Sequence, residues 1–86
     1  MNLAPGPQAQ VNLVRWQLAC IENPESAAKR GHTPTLKSLA IFYNAFAEVP
    51  EFGVPPIGYF INEAAAKAAL ERLLRRLLEL HAGEAM

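Results

Sequence analysis

The chain contains no aspartate, so all eight of its acidic side chains are glutamates. A paired-carboxylate site for acid/base chemistry needs two such groups to converge. Only Glu48 and Glu51 lie close in sequence without an obvious cationic partner, which argues against that class of enzyme. Cysteine is nearly absent: Cys20 is alone, which rules out an intramolecular disulfide framework and gives no support to secretion. Histidine is scarce too. Cys20, His32 and His81 would make three ligands at most, with none of the local pair spacing of a structural zinc site. The five glycines are scattered and form no phosphate-cradling loop. These shortages predict a protein that is not an enzyme and holds neither metal nor cofactor.

Other absences bound the setting. Positive and negative side chains balance to a formal net charge of zero, which argues against the strong field of a dedicated nucleic-acid binder. No stretch approaches the roughly 20 uncharged apolar residues of a membrane span. The opening residues MNLAPGPQAQ lack the basic and apolar regions of a signal peptide. A soluble, cytoplasmic protein with no membrane partner is the expectation. With 51% hydrophobic residues, the chain has enough apolar side chains to fold rather than stay disordered.

What is present is helical patterning. In the stretch LKSLAIFYNAFAEV, residues 36–49, the polar side chains Lys37, Asn44 and Glu48 share one narrow stripe at 3.6 residues per turn. The remaining circumference is apolar, and such a helix must be covered on more than one side. Thr33-Pro34 supplies a cap followed by a proline at the first helical position, so a central helix is expected over 34–49, stopped by Pro50. Before it, residues 10–22 place Val11, Val14, Leu18 and Ile21 on one helical face, and Leu13, Trp16 and Cys20 on a second. The same stretch, 13–21, also alternates in the manner of a strand, whose only candidate partner is IGYFI, 57–61. Asn23-Pro24 starts a short helix that Gly31 closes.

The last helix, 62–82, is rich in Ala, Leu, Glu, Lys and Arg, the strongest helix formers. Ala66, Leu70, Leu73, Leu74, Leu77, Leu78 and Leu80 form an apolar face too wide for a two-stranded coiled coil and suited to a bundle. Glu63–Lys67, Glu71–Arg75 and Arg75–Glu79 have the four-residue spacing of ion pairs along a helix. The sequence therefore predicts an all-α domain over 10–83: three main helices and a short one, with the apolar helix 34–49 between helices 10–22 and 62–82. A flexible arm over 1–9 and a tail over 84–86 complete the chain.

Two functions compete. More apolar faces exist than a small bundle hides, and such surplus marks association. The expected function is a protein–protein interaction module, an adaptor or regulator, that docks an apolar helical surface on another protein or on a second copy as a homodimer. Leu13, Trp16 and Cys20, with Phe52 and Val54 of the loop PEFGVPPIG (50–58), are the expected contacts if that loop does not close over the core. The alternative is a small DNA-binding regulator. Residues 27–37, AAKRGHTPTLK, resemble a helix-turn-helix in outline, with Lys29, Arg30, Thr33, Thr35 and Lys37 available to nucleic acid.

Overall fold

The computed structural model describes residues 7–82, among which every regular element is helical and none is a strand. The expectations for residues 1–6, Gly83 and the tail 84–86 lie outside the described residues. Helix α1 runs Pro7–Glu22, α2 Pro24–Lys29, α3 Leu36–Ala47 and α4 Glu63–Ala82, with one 3₁₀ turn at Pro50–Phe52 between α3 and α4. The all-α bundle of three main helices and one short helix is the observed architecture, and residues 13–21 are helix. Residues 7–9, expected in the arm, are the first turn of α1. Proline is tolerated in a first turn because its missing N–H has no intrahelical partner there, and Gln8 ties the turn to Asn12 through a 3.0 Å side-chain hydrogen bond.

Local sequence explains the helix boundaries. Asn23 caps α2, its Oδ1 accepting from the Ser26 N–H at 3.3 Å. At the other end Gly31 takes φ +77° and donates to the Ala28 carbonyl, while the His32 N–H reaches back to that of Ala27. This paired arrangement requires a left-handed residue, which glycine supplies without a Cβ penalty. Helix α3 starts two residues later than the Thr33-Pro34 signal implies. The cap is Thr35: its hydroxyl accepts from the Ser38 N–H at 3.0 Å, and Ser38 Oγ accepts from the Thr35 N–H at 2.8 Å. A reciprocal capping box satisfies two end donors at once, where a proline start satisfies none.

Helices α1 and α4 form the largest interface and run antiparallel. Gln10 near the start of α1 meets His81 near the end of α4 at 3.1 Å, and Glu22 at the end of α1 pairs with Lys67 in the second turn of α4 at 2.9 Å. The core combines Val11 and Val14 of α1, Leu39, Ala40 and Tyr43 of α3, and Ala66, Ala69, Leu70, Leu73 and Leu77 of α4, joined by Phe52 and Phe60. Each fully buried leucine contributes about 1.5–3 kcal/mol. The packing has its hub at α4, which meets α1, α3 and the 3₁₀ turn. Within that core the apolar α3 packs on α4, with Val11 and Val14 of α1 in the same buried cluster. The connector between α3 and α4, residues 48–62, covers a further part of the α3 circumference through Phe52, Val54, Ile57 and Phe60.

That connector folds over the core. Phe52 is buried, Val54 and Ile57 are half-buried against the cluster, and the Phe52 ring lies 5.7 Å from that of Phe46. Two side chains fasten it. Asn44 of α3 donates to the Ile57 carbonyl at 2.9 Å and accepts from the Ile57 N–H at 3.0 Å. Arg76 of α4 donates from Nε to the Phe52 carbonyl at 2.9 Å. Gly53, at φ +65°, makes the reversal that lets the chain leave the turn. Of the three ion pairs expected along α4, the described residues form none; Lys67 reaches instead across to Glu22 on α1.

Candidate functional site

The residues expected to make partner contacts do not form one surface. Leu13 and Trp16 lie on the outer side of α1 at 40% and 39% exposure, whereas Cys20 is buried where α1 turns into α2. Phe52 and Val54 belong to the connector over α3 and α4, Phe52 in the 3₁₀ turn that packs on both of those helices. Burial takes Cys20 and Phe52 out of reach of a partner docking on the folded chain. Trp16 is itself partly covered. The His32 ring, delivered by the Gly31 turn, stacks on the indole with centroids 4.2 Å apart and planes 32° from parallel. Nε2 of His32 is buried without a hydrogen-bond partner among the described residues, so stacking rather than hydrogen bonding holds the ring.

The basic turn presents its five residues to solvent: Lys29, Arg30, Thr33, Thr35 and Lys37 are all exposed. Two of them are already engaged. Thr35 caps α3, and Arg30 Nη2 donates to Ser26 Oγ at 2.9 Å. Helix α2 has only six residues, a short support for the helix that follows. Beyond Lys37 the exposed positions of α3 are Ser38, Ile41 and Ala45 up to its last turn, which offer little for reading base edges.

Among the described residues, the most exposed large apolar side chains lie elsewhere. Tyr59 is 77% exposed, Ile61 75% and Ile41 63%. Ile41 on α3 and Tyr59 on the connector line a shallow hollow of about 310 Å³, together with Leu36, Ala40, Gly58 and Phe60, with Lys37 and Asn44 also on its lining. Geometry explains the exposure. Phe60 turns inward, its ring 5.9 Å from that of Tyr43 in an edge-on contact, which sends its neighbours Tyr59 and Ile61 outward. Asn44 fastens the connector at Ile57 and so fixes the near wall of the hollow.

Sequence patterning did not single out Ile41, Tyr59 or Ile61, but a signal for the first was there. At 3.6 residues per turn Ile41 falls at the edge of the stripe made by Lys37, Asn44 and Glu48, next to Glu48, an isoleucine on the polar side of its helix. The alternation of Tyr59, Phe60 and Ile61 carries the same message once Phe60 is assigned inward.

A second cleft, of about 510 Å³, runs beside α4 and is lined by Val54, Arg72, Arg75, Arg76, Leu78 and Glu79. Among the described residues no group of three His, Cys, Asp or Glu side chains is placed to hold a metal ion, and no helix is long and apolar enough to cross a membrane. No known protein family, curated protein or solved structure matches the chain.

Proposed function

We propose that the protein is a non-enzymatic interaction module that self-associates as a homodimer through the α3–connector face. The observation carrying this reading is the exposure of Ile41 and Tyr59 on the lining of an apolar hollow, with Ile61 exposed two residues further along the chain. Large side chains left this far in water cost hydration free energy, and contiguous apolar area of this kind marks association. Tyrosine is also enriched at the centres of interfaces, because its ring buries much area at little conformational cost. The occupant proposed is a second copy. A projecting Tyr59 next to a hollow can pair with its own image about a two-fold axis, each ring entering the partner's depression. A chain of zero net charge has no overall self-repulsion to oppose that.

Light scattering on a sizing column over a range of loading concentrations tests the reading. The wild type is expected at twice the chain mass, and Tyr59→Glu at the chain mass with unchanged helical circular dichroism. A wild type that stays monomeric at every concentration contradicts it. Leu13 and Trp16 are the competing face: dissociation by Trp16→Arg but not by Tyr59→Glu would move the interface to α1.

The alternative, a DNA-binding regulator using Lys29, Arg30, Thr33, Thr35 and Lys37, draws its support from the exposure of all five on one turn. It is separable by titrating labelled duplex DNA of random sequence at several salt concentrations. Salt-sensitive binding with a dissociation constant of roughly 10⁻⁴–10⁻⁶ M, lost in Lys29→Glu/Arg30→Glu, would favour it. Flat anisotropy at low salt favours the interaction module.

A further inference from the structure

The cleft beside α4 has a different chemistry from the hollow on α3. Arg72, Arg75 and Arg76 sit at relative positions 0, 3 and 4 of one helix face, with Glu79 at position 7. Arg76 is held in place, its Nε bonded to the Phe52 carbonyl at 2.9 Å and its guanidinium lying along Gly53, where a Cβ would come within 3.6 Å of Nη2. Arg72 and Arg75 are exposed and make no ion pair among the described residues, although Glu71 and Glu79 have helical spacing from Arg75. Leu78, 42% exposed, and half-buried Val54 give the cleft its apolar wall.

From this juxtaposition of unpaired arginines and an apolar wall, we propose that the cleft between α4 and the connector docks an acidic, partly apolar peptide segment of another protein. Three guanidinium groups face one carboxylate there, so the local charge is positive on a chain that is neutral as a whole. Guanidinium suits carboxylates because its planar fork matches their two oxygens, and it stays charged at any physiological pH. From position 72 to 79 the helix rises about 10 Å, so the positive groups form a strip. A strip fits carboxylates on successive turns or residues of a peptide better than it fits one compact anion. Leu78 and Val54 call for apolar side chains between those carboxylates, and Glu79 disfavours a continuous phosphate backbone. The proposal is independent of dimerisation, since it uses a different face.

The test is fluorescence anisotropy with a labelled peptide of about twelve residues, long enough to span the strip, carrying glutamates interspersed with leucines. Its counterpart with glutamine at every glutamate, and a single-stranded oligonucleotide, are run alongside. The expected result is saturable binding of the acidic peptide that weakens with salt, and that falls about tenfold or more for the glutamine peptide and for Arg72→Glu/Arg75→Glu protein. Amide shifts on the wild type should centre on Val54 and Leu78. Absence of binding, equal binding of the glutamine peptide, or shifts centred elsewhere would overturn the proposal. Tighter binding of the oligonucleotide would also overturn it, replacing a peptide site by a polyanion surface. The peptide comparison uses wild-type protein alone, so it decides the matter even if the double variant fails to fold.

Discussion

Single side chains decide whether the connector belongs to the core. Asn44 is the clearest case: its carboxamide satisfies both the N–H and the carbonyl of Ile57, two backbone groups that would otherwise be half-buried without partners. Asn44→Ala removes both bonds at once and is expected to cost about 1–3 kcal/mol, read as a lowered midpoint in urea unfolding. The same variant should loosen Tyr59 and so weaken association. A variant with wild-type stability would show that the clamp contributes nothing. Gly53 makes a second test. At φ +65° an added Cβ meets only ordinary contact with Arg76, so the cost of Gly53→Ala is conformational, about 1–2 kcal/mol, without a steric clash. Thr35→Ala removes the α3 cap and should cost about 0.5–2 kcal/mol in the same measurement.

Among the elements, α4 carries the fold. Leu70, Leu73 and Leu77 are fully buried on it, and α1, α3 and the 3₁₀ turn all pack there. Leu73→Ala is expected to cost about 2–5 kcal/mol, a large share of the roughly 5–15 kcal/mol available to a small domain. Calorimetry should find its midpoint far below that of the wild type; Leu78→Ala, at a half-exposed position, should shift it little. The Lys67–Glu22 pair links α4 to the end of α1, and the Glu22 carboxylate raises the Lys67 ammonium above its ordinary 10.5 through hydrogen bonding and charge. A raised lysine favours the folded state below its unfolded value, and that contribution is lost as pH climbs through the folded value. Any stability owed to this exposed pair should therefore hold through neutral pH and fade only in strong alkali, and be absent from Lys67→Met.

Helix identity was legible in the sequence because apolar periodicity, Asn23-Pro24 and the Gly31 stop are local signals read within one turn. The face Val11, Val14, Leu18 and Ile21 is the one that α1 turns to the core. Less legible was everything that depends on a distant partner. Cys20 patterns with Leu13 and Trp16, yet α2 folds back to bury it; Asn44 patterns as solvent-facing, yet it binds a connector thirteen residues away. Lys67 has a glutamate at helical spacing and chooses one on another helix. The candidate surface fared worst for the same reason. Whether Phe52 or Tyr59 faces water is set by how the connector lies on α3, a long-range outcome that composition cannot rank.

At the scale of the whole molecule, two faces of opposite character emerge: an apolar one on α3 and the connector, and a basic one along α4. The first is proposed to pair copies of the chain and the second to receive an acidic segment. If both proposals hold, a dimer carries two α4 clefts, and two linked sites would bind a bivalent acidic partner more tightly than a single one. The most direct test of the central claim is an isotope-filtered nuclear Overhauser experiment on a mixture of labelled and unlabelled protein. Intermolecular contacts between the Tyr59 ring of one copy and the methyl groups of Leu36 and Ile41 of the other are the predicted result. No intermolecular contacts at concentrations where the protein fills a sizing column as a single species, or contacts centred on Leu13 and Trp16, would contradict it.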